Sequence, residues 1–78
     1  MSDWTQDIAE AEAAADRTQQ AEQQAESRFD QVHARAKAAG AVDDAVKSSE
    51  FGQWMAARHA TDAAWGEWSR VMDAKPAG

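Results

Sequence analysis

From Trp4 to Ala39 the chain repeats a seam residue at alternating intervals of four and three without a slip. The series is Trp4, Ile8, Ala11, Ala15, Thr18, Glu22, Ala25, Phe29, Val32, Ala36 and Ala39. Such a heptad line over five repeats forms one stripe only on a long helix that lies against a second helix. The texture of "AEAAADRTQQAEQQAE" taken alone would suit a disordered tract, and the unbroken period argues against that. Only Glu22 is out of character. Most of the seam is alanine, which buries little area, so the facing helix has to supply the volume.

No strand-length run of β-branched residues appears, and Ala, Glu, Gln, Arg and Met are strong helix formers. The first helix is predicted over about 3–39, with Ser2 or Asp3 as its capping residue and early acids that suit the helix dipole. Arg35 and Lys37 fall near its end, and Gly40 matches the left-handed residue that closes many helices. A turn at 40–42 leads to a second helix over about 43–74, which stops before Pro76. A break at "KSSE" stays open, because Ser48 or Ser49 could cap a helix beginning at Glu50. Residues 75–78 read as a frayed tail, and residues 1–78 as a single domain.

Three of the four tryptophans lie in the second helix, with Trp54, Thr61 and Trp68 seven apart. Phe51, Arg58, Trp65 and Met72 flank that line on one side, and Ala57, Ala64 and Val71 on the other. An antiparallel hairpin turning at Gly40 and Ala41 sets Phe29 against Phe51 or Gly52, and Ala25 against Met55 or Ala56. It sets Ala15 against Trp65, Ala11 against Trp68, and Ile8 against Met72. Large then opposes small, as interdigitating seams require. Glu22 falls opposite Arg58 or His59, and a Glu22–Arg58 ion pair that fixes register is expected. The predicted fold is all-α: an antiparallel, coiled-coil-like two-helix hairpin. The apolar arc is wider than one facing helix covers, so two hairpins are expected to dimerise into a four-helix bundle. Trp54, Met55, Arg58, Trp65, Trp68 and Val71 are the expected interaction residues.

With 78 residues a lone hydrophobic core is marginal, which again favours a homo-oligomer. The chain has no cysteine, so disulfides, thiolate metal sites and cysteine nucleophiles are excluded. No apolar run reaches membrane-spanning length, and "MSDWTQDIAE" lacks the pattern of a signal peptide. A cytoplasmic protein without membrane contact is expected. The net charge of −6 is uneven. Residues 1–30 hold eight acids against Arg17 and Arg28. Asp3, Asp7, Glu10, Glu12, Asp16, Glu26 and Asp30 form a candidate acidic face. Direct nucleic-acid binding is disfavoured, since it draws on clustered Lys and Arg. The expected partner is a protein, and a basic surface would suit the acidic helix. The competing reading is an acidic inhibitor that imitates nucleic acid and blocks a host defence or DNA-binding protein.

Asp30 with His33, and His59 with Asp62, each place a carboxylate and an imidazole three apart on one helical face. The second pair runs in reverse order, and the hairpin register puts His33 near Ser48, far from His59. No metal site is therefore expected. A glycine-rich phosphate loop, a nucleophile triad and His-Glu-x-x-His are all absent from the sequence. The chain reads as a non-enzyme with no catalytic residues and no cofactor.

The segment "SSEFGQWMAARHATDAAWGEWSRVMDAKP" resembles the small Ala- and Trp-containing helical proteins of broad-host-range conjugative plasmids, the Kle group. The likeness covers the second helix and rests on texture without a diagnostic motif, so it transfers no functional residues. It implies an accessory role in plasmid maintenance or host interaction through protein contacts. The function expected is thus a non-enzymatic protein–protein interaction module of a mobile element.

Overall fold

The structure is a computed structural model that describes residues 3–76. It is all-helical, with no strand among the described residues. Helix α1 spans Trp4–Ala38, a 3₁₀ segment spans Val42–Lys47, and helix α2 spans Ser49–Asp73. The two α-helices pack against each other as a hairpin with extents of 61 × 14 × 14 Å.

Local chemistry fixes each boundary. Asp3 occupies the N-cap of α1 and its carbonyl accepts from the Asp7 N–H at 2.8 Å, but its side chain makes no capping bond. Ser2, the other capping candidate, lies outside the described residues, as do 77–78 of the expected tail. At the far end Gly40 has φ +72°. Its N–H donates to the Lys37 carbonyl at 3.1 Å, and the Ala41 N–H donates to the Ala36 carbonyl at 2.8 Å. These are the paired bonds of a Schellman closure, which glycine enters without a Cβ penalty.

The second helix is shorter than the expected 43–74. Residues 42–47 form a tighter 3₁₀ coil, and Ser48, with ψ 155°, is extended and ends it. The Ser48 hydroxyl then accepts from the Phe51 N–H at 3.2 Å and donates to the Ala45 carbonyl at 2.6 Å. One serine thus satisfies an orphan donor of α2 while fastening the 3₁₀ segment, and so it splits what propensity alone would join.

The heptad line lies at the interface. Ala11, Ala15, Ala25 and Phe29 are buried, while Trp4, Ile8, Thr18, Glu22, Val32 and Ala36 are half-buried. Ala39, at the cap, is exposed, and Ala14 joins the half-buried set from beside the line. On α2 the covered positions are Trp54, Ala57, Thr61, Ala64, Trp68 and Val71, with Phe51, Met55 and Trp65 half-buried beside them.

Candidate interaction surface

Near the closed end Phe29 gathers three rings. Its centroid lies 5.4 Å from Phe51, 5.1 Å from Trp54 in a stacked arrangement, and 5.9 Å from His33. Phe51 meets Trp54 edge-on at 6.2 Å. The expected Phe29–Phe51 apposition is present, and Trp54 adds a stacked partner from one turn further along. His33 contributes a ring to this cluster while remaining exposed.

Toward the open end Trp65 and Trp68 form a T-shaped pair at 5.6 Å. Ala15 is completely buried at the level where the hairpin register sets Trp65. Of the expected Ile8–Met72 apposition, Ile8 is half-buried and Met72 is 38% exposed. Trp4 closes the seam there. Its indole Nε1–H donates to the Val71 carbonyl at 2.7 Å, and the Lys75 ammonium lies 5.6 Å from its ring centroid.

The expected Glu22–Arg58 ion pair is not formed. Glu22 is half-buried and Arg58 exposed, and among the described residues the only ion pair joins Glu67 and Arg70. Arg58 stands one position off the line of Ala57 and Thr61 and is exposed. Full hydration of that cation outweighs pairing with a partly covered carboxylate. The seam position between Trp54 and Trp68 belongs to Thr61, 7% exposed, whose hydroxyl donates to the Ala57 carbonyl at 3.1 Å. Thr18 does the same on α1, donating to Ala15 at 2.9 Å. Both hydroxyls are therefore satisfied within their own helices.

Two indole donors fare differently. Nε1 of Trp54 and of Trp68 is buried with no hydrogen-bond partner. No large side chain among the described residues is fully buried, and Val42 and Val46 in the 3₁₀ segment are exposed. The hairpin therefore covers its apolar residues only in part.

A groove of about 650 Å³ runs along one side of the open end, walled by Asp3, Asp7, Glu10, Glu67 and Arg70 over a floor that includes Trp4 and Val71. The Arg70 guanidinium donates to Glu67 through Nε at 2.9 Å. That hydrogen bond holds the Glu67 carboxyl below its ordinary pKa and raises that of Arg70. All seven residues of the acidic face are exposed. Asp30, His33, His59 and Asp62 are exposed too, and no group of three or more His, Asp or Glu residues is placed to hold a metal ion among the described residues. No helix among them is long and apolar enough to cross a membrane.

Periodicity pointed to the seam and to the Phe29–Phe51 apposition. It missed the Trp4–Val71 hydrogen bond, whose only trace in the sequence was a tryptophan at the first seam position. Thr61 stood on the expected line between Trp54 and Trp68, and it is the best-covered residue of α2. Compared with protein-family models, curated proteins and solved structures, the chain matches none.

Proposed function

We propose that this hairpin is a non-enzymatic protein-interaction module that self-associates as a dimer through the tryptophan-bearing helix α2. The observation that carries this reading is the incomplete burial of its apolar side chains. A compact monomer of 8.5 kDa exposes about 4,700 Å², whereas this chain exposes 5648 Å². A rod two helices wide has no interior in which to hide six large rings, and pairing with another helical surface supplies one. Sedimentation equilibrium tests this directly: a reversible dimer at micromolar concentration is expected. A chain that stays monomeric up to high micromolar concentration overturns the reading. The likeness of residues 48–76 to Kle proteins supports an accessory role on a mobile element, and altered plasmid retention on deleting the gene would test that part.

The exposed carboxylates of α1 favour a second reading, an acidic nucleic-acid mimic that inhibits a basic host protein. Reversing Glu12, Asp16, Glu26 and Asp30 to lysine separates the two. It abolishes partner binding for a mimic and largely spares it for a module that binds through α2.

A further inference from the structure

We propose that the partner in this self-association docks antiparallel on one flank of α2, about a two-fold axis passing near Thr61 and Asp62. The inference rests on the self-association proposed above and adds the face and the register. The two flanks of the α2 seam differ in chemistry. One presents Gln53, Ala60 and Glu67, all exposed and mostly polar. The other presents Phe51, Arg58, Trp65 and Met72 at intervals of seven, a strip about 32 Å long at 1.5 Å per residue. Of these, Phe51 and Trp65 are half-buried, and Arg58 and Met72 are exposed.

Charge decides both the occupant and its direction. Arg58 and Asp62 stand one turn apart on this flank, and neither forms an ion pair within the chain. A two-fold axis at 61–62 leaves each Arg58 about 4.5 Å along the helix from the level of the other copy's Asp62, within reach of the long side chain, because an isologous interface pairs i with j and j with i. The same operation sets Phe51 against the second copy's Met72, a sulfur–aromatic contact, and Arg58 within reach of the second copy's Trp65 ring. A parallel copy would instead place like charges side by side.

The test is a charge swap read by sedimentation equilibrium on the full chain, with helicity confirmed by circular dichroism. R58E and D62R, each alone, create like-charge contacts across the axis and should weaken dimerisation about tenfold or more. An equimolar mixture of the two variants restores opposite charges at both contacts and should recover the wild-type affinity. If both variants dimerise as tightly as the wild type, this face is wrong while self-association stands. If each is weakened and the mixture does not recover, the antiparallel register is wrong. A wild-type chain that never dimerises removes this inference and the self-association together.

Discussion

The indole of Trp4 donates to the main-chain carbonyl of Val71 at 2.7 Å, linking residues 67 apart in the sequence across the open end of the hairpin. This is the one side-chain hydrogen bond shown to run between α1 and α2 among the described residues. Replacing Trp4 with Phe keeps most of the ring and removes the donor. A loss of about 1 kcal/mol is expected, measured as a lower denaturant midpoint. Hydrogen exchange should speed up in the first turn of α1 and the last turn of α2, and stay unchanged around Gly40.

The glycines give a prediction of opposite signs. Gly40 sits at φ +72°, so Gly40→Ala should cost about 1 kcal/mol although nothing lies within 4 Å of an added Cβ. Gly66 has ordinary helical backbone and equally open space. Gly66→Ala should therefore raise the melting temperature, with a gain of about 0.5–1 kcal/mol. A loss there instead would show that the outer face of α2 lies against another chain.

Phe29 is the one large residue of α1 that is buried, and it touches three rings. Phe29→Ala should cost about 3–5 kcal/mol, enough to leave a chain this small largely unfolded. Far-ultraviolet circular dichroism at room temperature would show the collapse of helicity. Phe29→Leu should retain the fold at reduced stability.

Glu22 occupies the seam without an ion-pair partner among the described residues. Glu22→Leu should raise hairpin stability by about 1 kcal/mol, since it replaces a half-covered carboxylate with apolar area. Arg58→Ala should leave hairpin unfolding within about 0.5 kcal/mol of wild type when measured dilute, as for an exposed, unpaired side chain. Thermal melts at low micromolar concentration check both. The ion-pair expectation required Arg58→Ala to be clearly destabilising.

The seam of α1 was legible because its period survives eleven positions, and every one up to Ala36 is buried or half-buried. Gly40 was legible for the same kind of reason: one residue type is strongly favoured by one backbone conformation. The 3₁₀ segment was less so, since "VDDAVK" carries no breaker and only the capping power of Ser48 divides it from α2. The Glu22–Arg58 pairing failed because register gives the level of a residue along the rod but not the direction of a long flexible side chain. Trp4 shows the converse. Its ring was placed correctly on the seam, yet the carbonyl it reaches belongs to the backbone, where side-chain patterning is silent.

The methyl groups of Ala11, Ala15 and Ala25 make a nearly smooth rail along α1, and a smooth rail resists sliding poorly. Longitudinal position must then be held by the two extremities, the ring cluster at Phe29 and the clasp at Trp4. Weakening either should permit slippage by whole turns before unfolding, so that a damaged variant populates several offset hairpins instead of one.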